Sequence, residues 1–168
     1  MSTIKNLSDL YKESIKDLYS ADEQSKGTTQ KLAEAANSSE LQSALKKGVK
    51  GIQDGLDALT EIAERHGFEP TGKHCKGMEG LCKEAEEHGI KAEYEDKDAQ
   101  DAMIIGQYQR MAHYAITGYG TAQAFAKRLG YDEDVKTLEK CLDATYRGDD
   151  EFTAMATGSD GINAMAAE

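Results

Sequence analysis

The side chains here that could bind a metal or move a proton are four histidines, three cysteines and 31 Asp and Glu residues. In a helical bundle the chemistry such residues most often perform is carboxylate-bridged metal chemistry. It takes a Glu from each of two helices and a Glu-x-x-His pair from each of the other two. The residues three before His66, His74, His88 and His113 are Ala63, Thr71, Ala85 and Arg110, none of them acidic. Glu84 and His88 stand at i and i+4, but at a helix end with no further ligand, and read as a solvated surface pair. Cys75 and Cys82 lie seven residues apart, roughly 10 Å along a helix, too far to share one tetrahedral zinc. With Cys141, on a periodic helix face, they read as small apolar core groups. There is no Gly-x-Ser-x-Gly elbow and no phosphate-binding loop. No catalytic residue and no metal ligand is assigned.

The elements that would position such groups are helices. Residues 102–131 contain no Asp or Glu, in a chain otherwise rich in both. Their apolar residues recur at helical spacing, so this stretch is one long helix with a face in the core and no carboxylate for a metal. Five helices are predicted. The first runs from about Leu7 to Ala36, interrupted by polar Asp22, Ser25 and Thr29 on its face. The second runs from about Glu40 to His66, opened by a Ser39/Gln42 capping box and closed by Gly67 and Pro70. A short helix covers about His74 to His88. The acid-free helix spans about Asp98 to Gly130. The last begins at Asp132, with Val135, Leu138, Leu142, Thr145, Phe152 and Met155 inward. Four long helices and one short crossover give an all-α antiparallel four-helix bundle, a single domain over 1–158 with a mobile tail over 159–168.

Composition limits the partners. The net charge of −11 argues against nucleic acid, which calls for clustered Lys and Arg. No apolar run reaches the roughly 18 residues of a membrane span. An odd number of cysteines and no apolar leader point to the cytoplasm.

Two features admit both a structural and a binding reading. Gly48, Gly51 and Gly55 each lower the helix propensity of the second helix by up to about 1 kcal/mol relative to Ala. Either backbones approach closely there or a void admits a ligand; close packing is favoured. Tyr108, Tyr114 and Tyr119 with His113 give the acid-free helix a polar-aromatic side, either one buried hydrogen-bond network or a pocket wall.

Several segments together resemble the YciE/YciF-like family of the ferritin-like superfamily. They are Asp17-Leu18-Tyr19-Ser20-Ala21-Asp22-Glu23-Gln24, then Cys75-Lys76-Gly77-Met78-Glu79-Gly80-Leu81 with Glu84-Ala85. His113-Tyr114-Ala115-Ile116 through Tyr119-Gly120-Thr121 and then Leu129-Gly130-Tyr131 complete the set. The resemblance spans about Ile4 to Ala156. It implies a four-helix bundle with a short fifth helix, a homodimer, and a stress-associated role; some members resemble di-iron carboxylate proteins. The metal residues do not carry over. Asp22 stands for the first-helix Glu, Lys50 and Gln53 for a Glu-x-x-His segment, Ala112 and Ala115 for two glutamates, and Asp143-Ala144-Thr145 for a Glu-rich stretch. The expectation is a non-enzymatic bundle that has lost its centre, with no cofactor. The alternatives are a residual metal-binding oxidase or peroxidase, or a small-molecule binding module. Asp22, Gln53, His113 and Asp149, one on each long helix, form a candidate remnant polar centre. Gly51, Ala112, Ala115 and Tyr119 form a candidate pocket.

Overall fold

The computed structural model describes residues 4–167. They form α1 (Leu7–Ala35), α2 (Ser39–Arg65), α3 (Lys76–Glu86) with a π-helical turn over Glu87–Lys91, α4 (Lys97–Leu129), α5 (Asp132–Thr157) and α6 (Ile162–Met165). No strand occurs among the described residues. Around the bundle, α1 neighbours α2 and α4, and α5 closes the ring between α2 and α4. The fold is an all-α bundle of four long helices with a short crossover helix.

Helix ends follow local chemistry. Asn6 caps α1 by accepting from the Asp9 amide, satisfying one of the first-turn donors. Gly130, at φ 76°, ends α4 in the left-handed conformation that favours glycine. The N-cap of α2 is Ser38, whose hydroxyl accepts from Leu41 N, one residue before the expected Ser39. Gln42 reaches instead to the carbonyl of Ala36. Tyr131, not Asp132, precedes α5, and Asp132 lies inside its first turn.

The segment expected to be a mobile tail is folded back. A turn between Gly158 and Gly161 returns the chain, and α6 buries Ile162 against the core. One apolar side chain at the right place is enough to dock this short helix.

Two apolar clusters fill the bundle. One gathers Leu32, Leu41, Leu45, Met78, Ile104 and Phe152. The other gathers Tyr11, Ile15, Leu59, Ile62 and Leu138. Between them the two sides of the bundle differ. The α1–α4 side is covered by α3. On the opposite side α2 buries nothing between Leu45 and Gly55, and α5 buries nothing between Leu138 and Phe152. Of the inward set expected on α5, only Leu138 and Phe152 are fully buried. Small residues and Thr fill the middle of that face, so the two helices leave a gap there.

Candidate ligand groove

The gap between α2 and α5 is a half-open groove of about 850 Å³, within the usual range for small-molecule sites. Its floor comes from the two helices behind it. Asp22, Ser25 and Thr29 share one face of α1. Tyr108, Ala112, Ala115 and Tyr119 share one face of α4, at helical spacing. The walls are the glycine face of α2 and the Cys141–Phe152 face of α5.

Two of the three α2 glycines are contact points. A Cβ on Gly48 would lie 2.7 Å from the Tyr108 hydroxyl, and one on Gly55 would lie 2.5 Å from that of Tyr119. Nothing lies within 4 Å of a Cβ on Gly51, which opens onto the groove. Close approach therefore accounts for Gly48 and Gly55, and open space lies beside Gly51. Tyr108 stacks on Phe152 with ring centroids 4.2 Å apart.

The polar atoms of the floor are under-satisfied. Tyr119 donates its hydroxyl to Asp22 Oδ2 at 2.5 Å. Asp22 Oδ1 and the Tyr108 hydroxyl receive no partner among the described residues, and Thr29 Oγ1 is fully buried without one. Burial pushes the Asp22 carboxyl up to about 7, against the opposing effect of the Tyr119 hydrogen bond. Burial, then the neighbouring Asp22, raises Tyr119 well above the usual phenol range. Burial likewise pushes the Cys141 thiol up to about 11, which keeps it an unreactive thiol at neutral pH.

The other buried carboxylates are satisfied on both oxygens. Asp101 Oδ1 accepts from Asn37 N at 2.8 Å and Oδ2 from Ser38 N at 2.7 Å, tying α4 to the start of α2. Asp134 accepts from Arg65 Nε at 3.0 Å, from Tyr11 at 2.8 Å, and meets His66 Nε2 at 2.6 Å. These are structural clamps. Asp22 differs in having one donor and an open side.

On the sealed α1–α4 face lies a polar contact the sequence reading missed. Tyr114 donates to Asp17 at 2.9 Å and lies 2.9 Å from Cys75 Sγ, while Cys75 N donates to Ser20 Oγ at 3.0 Å. The ring of Tyr114 sits over Gly77, where a Cβ would lie 2.8 Å away. Asp17, Ser20, Cys75, Gly77 and Tyr114 come from the three longest of the motifs quoted above. In three dimensions those motifs are the device that docks α3.

The candidate pocket residues Gly51, Ala112, Ala115 and Tyr119 all line the groove. The candidate polar centre does not assemble. Asp22 alone of its four members faces the interior. Gln53 lies in the outer α1–α2 seam, accepting from Lys26 at 2.6 Å and donating to Asp57 at 2.7 Å. His113 is 65% exposed and meets Asp149 at 2.9 Å, on the outside of α4 and α5. Each side chain is one residue, about 100° of helix, from an inward position. Tyr114 and His113 likewise leave the network expected of them with Tyr108 and Tyr119. Lys50, which stands with Gln53 for the Glu-x-x-His segment, is 77% exposed and pairs with Asp54.

These positions also test the metal chemistry that some ferritin-like proteins perform. Two bridged ions need several converging carboxylates. The groove floor supplies Asp22 alone, beside Ala112 and Ala115. No three His, Cys, Asp or Glu side chains converge among the described residues. The residues do not fit a two-metal centre.

An all-α bundle with a half-open groove and a docked crossover helix defines a ferritin-like helical-bundle protein. The chain belongs to the family described as a domain of unknown function (DUF892), whose profile matches residues 6–167. It is similar to protein YciF of Escherichia coli K12, 28% identical over 154 residues that cover 91% of this chain and 92% of that one. The crystal structure of YciF, described as an E. coli stress protein, aligns with a TM-score of 0.84 at 28% identity over 89% of this chain and 94% of YciF. YcfI of Rhodopseudomonas palustris aligns with a TM-score of 0.86 at 29% identity over 91% and 96%. No described helix is long and apolar enough to cross a membrane.

Proposed function

We propose that this protein is a non-enzymatic, stress-associated helical bundle that works by binding a small molecule in the α2–α5 groove. The observation that carries the binding reading is Asp22, a carboxylate only 3% exposed with a single donor, on the floor of a groove of about 850 Å³. A buried carboxylate short of donors is a cost to the fold, and a ligand that donates to it recovers part of that cost. The stress association rests on the description of the E. coli relative.

The test has two parts. Small aromatic and aliphatic fragments are screened by ligand-observed NMR against the wild type and Gly51→Leu, which fills the groove. Iron, manganese and zinc are measured per chain after growth in supplemented medium. Saturable binding lost in the variant at unchanged melting temperature supports the reading. Two transition-metal ions per chain would return oxidase chemistry to the front.

A further inference from the structure

The groove carries enough detail to name the kind of molecule it takes. Its deepest charged group is Asp22. The side chain is 3% exposed, no Lys or Arg pairs with it, and its single donor is the Tyr119 hydroxyl. In Asp101 and Asp134 the same burial is balanced by donors on both oxygens. The missing partner of Asp22 is a donor, and on electrostatic grounds a cationic one.

The surroundings agree with a cation. Tyr108, Tyr119 and Phe152 line the groove, and aromatic faces attract organic cations. None of the basic side chains at the rim pairs with Asp22. Lys47 is held by Glu151 at 2.7 Å and Lys50 by Asp54 at 3.0 Å, and Lys140 and Arg147 stand exposed at the α5 edge.

Thr29 lies two helical turns from Asp22 on the same face of α1, roughly 10 Å along the axis. Between them the floor is Ala112 and Ala115, opposite the open Gly51. A matching ligand has a charged head and a flat apolar body.

We propose that the α2–α5 groove binds a small organic ammonium ion with an aromatic or aliphatic body. Its N–H groups donate to Asp22 Oδ1, and its body lies along Ala112 and Ala115. The proposal rests on the groove being a ligand site, and the experiment separates the two claims.

Three probes of nearly one shape are titrated by calorimetry: tyramine (cation), 4-ethylphenol (neutral) and 3-(4-hydroxyphenyl)propionate (anion). The proteins are the wild type, Asp22→Asn and Gly51→Leu, with melting curves to confirm folding. The expected result is that tyramine binds the wild type at least about tenfold tighter than the neutral probe. That preference disappears in Asp22→Asn, and all binding disappears in Gly51→Leu. If the neutral or anionic probe binds as tightly as tyramine, and Gly51→Leu abolishes it, the ammonium assignment falls while the groove stands. If no probe binds saturably at millimolar concentration, or if Gly51→Leu binds like the wild type, both claims fall.

Discussion

The two open sides of a four-helix ring start alike and end differently. On the α1–α4 side a third helix lies across the gap and every approach is filled. Tyr114 covers Gly77, Leu18 packs on Gly118, and Cys75 takes its place between Asp17 and Ser20. On the α2–α5 side nothing lies across, and Gly51 faces open space. Both sides carry glycine, tyrosine and a carboxylate. What differs is whether the polar atoms find partners and whether a third helix fills the gap. A close-packed seam is what stability alone produces; an open groove with an unpaired buried hydroxyl and a half-paired carboxylate is a cost to the fold.

That contrast is most exposed in the carboxylate of the groove. Asp22 titrates from 3.8 when unfolded to about 7 when folded. Between those values the folded chain holds a proton that the unfolded chain has lost, so stability falls as pH rises through the window. Below it the two states match; above it the burden is complete, on the order of 4 kcal/mol for a shift of this size. Asp22→Asn keeps the acceptor for Tyr119 and has no charge to bury. The variant is expected to melt with the wild type near pH 4 and well above it beyond pH 7. A constant difference across that range would show that Asp22 is paired in solution.

Glycine substitutions read the same contrast through space. Gly118→Leu places a side chain against the buried Leu18 and is expected to destabilise by about 3 kcal/mol in denaturant melts. Gly51→Ala meets nothing and is expected to stabilise by about 0.5–1 kcal/mol through helix propensity. Equal signs would mean that the groove closes in solution.

A smaller pair removes one hydroxyl from each side. Tyr114→Phe strips the link between Asp17 and Cys75 and is expected to cost about 1–2 kcal/mol. Tyr108→Phe removes a hydroxyl without a protein partner, and its melting curve is expected to shift by less than about 0.5 kcal/mol.

Much of this architecture is legible in the sequence. The four long helices fall within a residue or two of their expected ends because apolar periodicity and Gly or Pro stops mark them. Gly51, Ala112, Ala115 and Tyr119 could be grouped because small residues at spacings of three and four stand out on helices otherwise carrying larger groups. Asp22, Ser25 and Thr29 could be placed together on the inward face of α1, but the lack of partners there could not be read, because it depends on what α4 and α5 bring opposite them. The Cys75 contact was also beyond reach, since Asp17 and Tyr114 are 97 positions apart and their meeting depends on how α3 lies.

His113 and Asp149 show the sharpest limit of such reading, and they bear on the smallest effect expected. Placing one polar residue of each long helix in a common centre requires the helix rotations to be right within about one residue, 100°. At α4 and α5 the groove-lining neighbours are Ala112 and Gly148, so the pair lies outside, with His113 65% exposed. A buried centre would make His113→Ala costly, because it would strand a carboxylate in the core. An exposed pair contributes about 0–1 kcal/mol and is screened by salt. His113→Ala is therefore expected to shift the melting curve within that range, and less still at high ionic strength. It is also expected to leave fragment binding in the groove unchanged, because the imidazole does not line it. A loss of several kcal/mol, or of ligand, would place His113 inside the bundle and merge the two polar regions that the fold keeps apart.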